Sequence, residues 1–321
     1  MAAVTPSSPV VPWRLNALLS LIFSALHLCT LWLLPLGWLP EYASPVLLVL
    51  MVLITTPLWA LIHEAIHGHW HQRPLLNRLG GRWLGIIFGS PFRLLRYGHL
   101  HHHRHSRQNG DRTEAYDASR LPRWRAALMF YPRLLMGLYL GEIAVNFVLW
   151  LPRSWLLKIL RKLQPDADAS RQRAENELLS PAALRELRLD AALILLLYGS
   201  ALWLYGADAW QLALVLAGRG LLISLVDNSF HYQTPLSDHL YAVNLRLPRA
   251  AAACVLNFNM HRTHHRQVNL PWTALPAATR YQDEDPTWLR GILRQLKGPQ
   301  SLTTLESLEL PSHWRRRPQP R

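Results

Sequence analysis

The sequence predicts an all-α integral membrane protein: four transmembrane helices in two hairpins, with interfacial helices and a cytoplasmic cap carrying histidine boxes. Three observations predict it. Four apolar segments, near residues 15–36, 45–64, 188–206 and 209–228, have the length needed to cross a bilayer. Basic residues collect between the segments and not at the hairpin tips. Fourteen of the 16 histidines fall in two stretches, 63–105 and 231–265.

The segments pair by position and by charge. The connection near Pro40, Glu41 and Tyr42 has no Lys or Arg, and neither does Gly206-Ala207-Asp208. Residues 69–125 hold eleven arginines and no lysine, and 151–188 hold eight basic residues. The positive-inside rule puts both tips outside and the remainder in the cytoplasm. The net charge of +14 is accounted for by this pattern and by attraction to anionic lipid. No nucleic-acid motif accompanies it. The 14 Trp and ten Tyr include several at the ends of apolar runs, where interface anchors belong.

Two further apolar stretches are expected to stay on one side. Residues 126–150 contain Pro132, Arg133, Glu142 and Asn146, which cut the apolar runs short. A fifth crossing there would also carry the basic 151–188 segment outside. A re-entrant or interfacial helix is expected instead. Residues 83–95 (WLGIIFGSPFRLL) are too short to cross and read as a second such element. Residues 164–181 read as a polar linker, and the Arg- and Pro-rich end from Pro311 as disordered. The chain thus divides into a cytoplasmic N-terminus (1–14), a membrane domain (15–280) and a cytoplasmic tail (281–321). No cleavable signal is expected, because no basic residue precedes Trp13 and the first apolar run lacks a small-residue cleavage site. Cys29 and Cys254 lack the spacing of a zinc or redox pair and read as isolated thiols.

The histidines form three patterns. His63 and His67 are four apart at the end of the second span and share a helix face. His99, His102 and His103 stand at i, i+3 and i+4, and so do His261, His264 and His265. Eight imidazoles exceed what one tetrahedral zinc takes, about four ligands. They suit two metals with positions left open for an oxidant.

HEAIHG at 63–68, GHLHHHRHS at 98–106 and NFNMHRTHHRQVNLPWTALP at 257–276 resemble the membrane fatty-acid desaturases and the related alkane, carotenoid and sphingolipid hydroxylases. NSFHYQTP at 228–235 resembles a family segment that supplies one more histidine. The resemblance runs from about residue 45 to 280. It implies a di-iron centre that uses O2, held by His63, His67, His99, His102, His103, His231, His261, His264 and His265. It implies a fatty-acyl lipid or thioester as substrate, its chain in a dry tunnel. Two hydrogen removals would give a double bond, and oxygen insertion an alcohol. Electrons would come from a partner such as a ferredoxin, drawn to the basic face. The Arg-rich style suggests a bacterial inner membrane, with the site on the cytoplasmic side.

Supporting residues have two readings each. Asp111 and Glu114 either orient ligand imidazoles or pair with Arg104, Arg107 or Arg112. Asp227, one turn before His231, reads as a helix-end polar group, with a metal-bound water as the alternative. Asn257 and Asn259 are candidates to cap or orient the third box. Arg219, inside the fourth span, either contacts a headgroup or carboxylate or snorkels to the interface, the simpler account. His69, His71, His101, His105 and His239 are surplus, with His105 a candidate for a hydrogen bond around the ligands.

Other classes fit less. His63-Glu64-Ala65-Ile66-His67 also matches the H-E-x-x-H zinc-protease pattern with Glu64 as base, but that leaves two boxes idle. A metal carrier would repeat polar residues along its spans. A hydroxylase or ketolase is the close competitor.

Overall fold

The computed structural model describes residues 10–108, 111–163, 168–312 and 314, and these are mostly helical, with almost no strand. In chain order the helices are α1 (Trp13–Leu28, extended by a wide π turn, Cys29–Leu33), α2 (Ala43–Leu53), α3 (Thr55–His67), α4 (Pro74–Phe88) and α5 (Phe92–His105). Next come α6 (Arg123–Pro132), a π turn (Arg133–Gly137), α7 (Leu138–Val148), α8 (Arg153–Leu163), α9 (Asp168–Leu179), α10 (Pro181–Tyr205) and α11 (Ala209–Ser229). Five short helices follow: α12 (Arg249–Cys254), α13 (His261–Arg266), α14 (Leu275–Ala278), α15 (Trp288–Leu293) and α16 (Leu302–Glu306). Two strands were not expected: β1 (Ala115–Tyr116) pairs in parallel with β2 (Gln300–Ser301), tying the loop after α5 to the C-terminal segment.

Three helical runs, Trp13–Leu33, Arg123–Val148 and Pro181–Ser229, are long and apolar enough to cross a membrane. The pair α2–α3, bent by 42° at one residue, makes a fourth. The longest run turns back at Gly206–Asp208. Arg219 Nη1 on α11 donates to the Tyr198 hydroxyl on α10 at 2.9 Å, whereas 21 residues of straight helix would separate them by about 31 Å.

Several expectations change. Residues 126–150, expected as a re-entrant or interfacial helix, fall largely within one helical run in which a π turn directly after Pro132 joins α6 to α7. By length and composition this run qualifies as a span. Residues 83–95 belong to two helices that meet at Gly89, whose φ of 100° allows the chain to reverse. In the expected linker, residues 168–179 form α9, whose Ala174, Leu178 and Leu179 are buried with Leu156 of α8. Residues 164–167 lie outside the described part. So do 1–9, His313 and 315–321, where most of the expected disordered end falls. Trp314, by contrast, is buried, packed edge-on against Tyr241 and donating to Asp238 at 3.0 Å.

Arg219 does not snorkel. It is fully buried (0% exposed) and serves the C-terminus of α4. That helix ends in the interior, where its last carbonyls have no helical partner. Tyr198 donates to Ile87 O (2.6 Å), Tyr139 and Arg219 to Phe88 O (3.0 and 3.2 Å), and Asn146 to Gly89 O (2.9 Å). A cation at a helix C-terminus also opposes the helix dipole. α7, α10 and α11 are thereby fixed around the α4–α5 turn. The main core, including Leu58, Leu61, Ile62, Phe88, Phe92, Leu95, Phe230 and Phe258, lies beside this turn and supports the histidines.

Candidate metal centre

α3 carries His63 and His67 and stops at once at Gly68, whose φ of 85° suits glycine and few other residues. α5 carries His99, His102 and His103. His231 lies two residues past α11, and α13 carries His261, His264 and His265. These nine side chains converge into two groups. His63, His67, His99, His103 and His264 have ring nitrogens within 4.8 Å of one another, and so do His102, His231, His261 and His265. The groups abut, with the His103 and His265 ring centroids 4.4 Å apart.

The partition follows helix geometry. Residues i and i+4 lie about 40° apart around a helix, and i+3 about 100° from i+4. His99 and His103 therefore share the first group while His102 turns to the second. In α13 the assignment is reversed: His261 and His265 join the second group and His264 the first.

The chemistry of these donors fits a metal. Nε2 atoms face one another at 3.0 Å (His67–His99), 2.9 Å (His99–His103) and 3.1 Å (His103–His264). In the second group the contacts are 3.1 Å (His102–His231) and 3.3 Å (His231–His261). A neutral imidazole has a single N–H, so a chain of converging nitrogens leaves lone pairs opposed unless a cation sits among them. Buried ring nitrogens of His63, His103, His231, His261 and His265 also have no hydrogen-bond partner among the described residues. Burial, reinforced by the neighbouring imidazoles, pushes His99, His103, His231, His261, His264 and His265 below their ordinary pKa. That holds them neutral, as ligation requires. His102 is the exception. Burial works against its charge, but the Asp111 carboxylate outweighs it and the shift is upward.

The two acids after the second box divide between their two readings. Asp111 accepts from His102 Nδ1 at 2.9 Å, which leaves Nε2 facing the second group. Glu114 instead pairs with Arg107 at 2.8 Å, both buried. Asp111→Asn is therefore expected to weaken metal retention about 10–100-fold, with Glu114→Gln leaving it near wild type. Metal content after graded chelator dialysis checks this.

Glu64 is a clasp. Its Oε2 accepts the Trp272 backbone N–H at 3.1 Å, joining the first box to the segment after the third. Asn16 completes the joint, accepting from Trp272 Nε1 (3.0 Å) and donating to His69 O (3.0 Å). Asn257 and Asn259 do not cap α13. Their amides donate to Trp272 O and Leu245 O and hold the surrounding loops. Asn244 does what was expected of them, accepting from Thr263 N at 3.3 Å. Arg262, inside the third box, forms a two-pronged pair with Asp285 at 2.8 and 2.6 Å. No local signal marks Asn16, Asn244 or Asp285 for these roles, because Trp272, Thr263 and Arg262 lie 256, 19 and 23 residues away from them. The surplus His69, His71, His101, His105 and His239 lie outside both groups. His105 bonds Gln108 at 3.0 Å, not a ligand.

A cavity of about 230 Å³ opens beside both groups, reaching His99, His102, His231 and His261. Trp59, Leu95, Leu138 and Ile223 supply apolar wall, and Asp227, Glu142 and Arg133 line it too. Residues 36–291, most of the chain, match the family described as Fatty acid desaturase. No curated protein and no solved structure matches the chain.

Proposed function

The chain belongs to the fatty acid desaturase family, and from that premise we propose that it is an O2-dependent di-iron oxidase that desaturates a fatty-acyl chain. The observation that carries this reading is the convergence of nine imidazoles into two abutting groups. His63, His67, His99, His103 and His264 would hold one iron and His102, His231, His261 and His265 the other. All-nitrogen sets with open positions suit iron that must meet an oxidant. When bound and reduced, such a pair supplies the activation of O2 that lets hydrogen leave an unactivated carbon. The protein's own part is positional. Asp111 fixes the His102 tautomer, Glu64 and Asn16 lock α3 to the third box, and the cavity walls set which carbon is presented.

The same site serves a hydroxylase or ketolase, and the substrate's placement in the cavity decides the outcome. Lipid analysis of cells expressing the protein separates the two. New double bonds support desaturation; hydroxy or keto products reject it. A zinc protease is disfavoured because the Glu64 carboxylate is occupied by the Trp272 N–H. Glu64→Gln keeps an acceptor there and is expected to retain at least about half of the oxidase activity and the metal, whereas loss of a protease's general base costs about 100-fold or more.

Parity supports the membrane arrangement. His102 and His231 are 3.1 Å apart, so an even number of crossings separates them. α10 and α11 supply two. Arg123–Val148 then lies along the membrane or re-enters it, and the four crossings are Trp13–Leu33, α2–α3, α10 and α11. With the basic connections inside, the centre faces the cytoplasm, in a bacterial inner membrane. A groove of about 460 Å³ beside His67, lined by His71, Arg78, Arg93 and Arg96, suits an acidic electron donor such as a ferredoxin.

A further inference from the structure

Eight of the nine converging histidines lie on α3, α5 and α13, but His231 lies in a turn two residues past α11. A turn lacks the repeating hydrogen bonds that hold a helical residue. The His231 Nδ1 atom has no hydrogen-bond partner among the described residues, so no acceptor orients this ring as Asp111 orients His102. The aim of the ring therefore rests on how its neighbours in the chain are held.

The residues after His231 are held from the C-terminal segment. Tyr232 is buried; its hydroxyl donates to Gly298 O at 2.7 Å and accepts from Gln300 Nε2 at 2.9 Å. Gln233 has a φ of 56°, a left-handed conformation that a residue other than glycine holds only at a cost. Its side-chain amide donates to Gln300 Oε1 at 3.0 Å. One side chain thus grips both residues that follow the ligand. The backbone of Gln300 reaches the other half of the group. Its N–H donates to Glu114 O at 2.8 Å, and it pairs with Ala115 of β1. That strand follows the loop whose Asp111 orients His102, and His102 and His231 face one another at 3.1 Å. Gln300 lies past residue 291, where the family match ends.

Building on the two-metal reading, we propose that Gln300 is a positioning residue for the second metal group. Its side chain sets the turn that aims His231, and its backbone ties that turn to the loop that supports His102. The role needs an amide. The oxygen accepts from Gln233 while the nitrogen donates to Tyr232 and to Gly298 O (2.9 Å), and a carboxylate supplies no such donor. Residues 298–301 then belong to the metal centre and not to a detachable tail.

The test is iron retention by the purified full-length protein under graded chelator, in two backgrounds. His67→Ala leaves only the second group with its full set of ligands, and His231→Ala only the first. Gln300→Met, close in shape but without an N–H or a carbonyl, is added to each. The chelator concentration that removes half of the iron is expected to fall at least about tenfold in the His67→Ala background. In the His231→Ala background it should not change. Tyr232→Phe removes the hydroxyl that Gln300 holds and should act in the same direction, adding little when combined with Gln300→Met. An equal fall in both backgrounds is a general loosening of the fold and overturns the role, and so does no fall in the His67→Ala background. If Gln300→Met does not fold, Tyr232→Phe in the same two backgrounds decides by the same outcomes. Two irons in wild type without the expected difference reject the positioning role alone. Wild type without two irons rejects the metal centre and this role with it.

Discussion

Replacing any one of His63, His67, His99, His102, His103, His231, His261, His264 or His265 with alanine is expected to remove metal from its group and to lower oxidation by more than about 100-fold. That exceeds the roughly 10–100-fold loss typical of an outer partner such as Asp111. His101→Ala and His105→Ala are the controls, since both lie on the same helix as the second box yet outside the two groups. They should retain both metals and full activity. The pattern of loss is informative. His102→Ala and His231→Ala should empty the second group first, because their nitrogens face each other at 3.1 Å. His67→Ala and His99→Ala should empty the first. His103→Ala is expected to disturb both, since its ring also packs 4.4 Å from His265. Metal-to-protein ratios across the series, read beside activity, check the assignment. If His101→Ala proved as damaging as His102→Ala, the helical partition of the box would be wrong.

Arg262→Ala or Asp285→Ala should produce the largest loss of stability, about 3–5 kcal/mol, since removing one partner strands a buried charge. Arg262 and Asp285 side chains are 5% and 0% exposed, so solvent cannot replace the missing partner. Asp285 also accepts from Asn244 N (3.0 Å) and Gln282 N (2.8 Å). Its loss therefore frees several segments at once. The consequence reaches the metal centre, because α13 has only six residues and cannot hold its shape without tertiary support. Release of Arg262 would loosen His261, His264 and His265 together. Thermal unfolding of the purified protein in detergent measures the effect. Arg262→Lys should recover only part of it, for an ammonium cannot reproduce the two-pronged contact. A double replacement by apolar residues should do better than either single one.

What was legible in the sequence was whatever depends on short-range geometry. The i, i+3 and i+4 spacings place imidazoles on helix faces without knowledge of the fold, and a motif resemblance added His231. The same spacings contain the division into two groups, since i+3 diverges from i+4 by about 100°. The spans were also legible in outline, because length and apolarity suffice for them. Long-range partners were not. Nothing near Glu64 announces that it holds the backbone of a residue 208 positions later. Arg219 was read as snorkelling because the carbonyls it serves belong to a helix more than 130 residues earlier. The length of the helical run through 126–150 was less legible, because Pro132, Arg133, Glu142 and Asn146 cut its apolar stretches, yet a π turn carries the helix past Pro132 and the run reaches the length of a span. Asp111 and Glu114 look alike in sequence, and only their distance to His102 and Arg107 tells them apart.

The most direct test is metal analysis of the purified full-length protein, combined with X-ray absorption at the iron edge. The account predicts iron at two atoms per chain in a shell dominated by imidazole nitrogen. A single zinc per chain, or iron bound mainly through carboxylate oxygen, would contradict it.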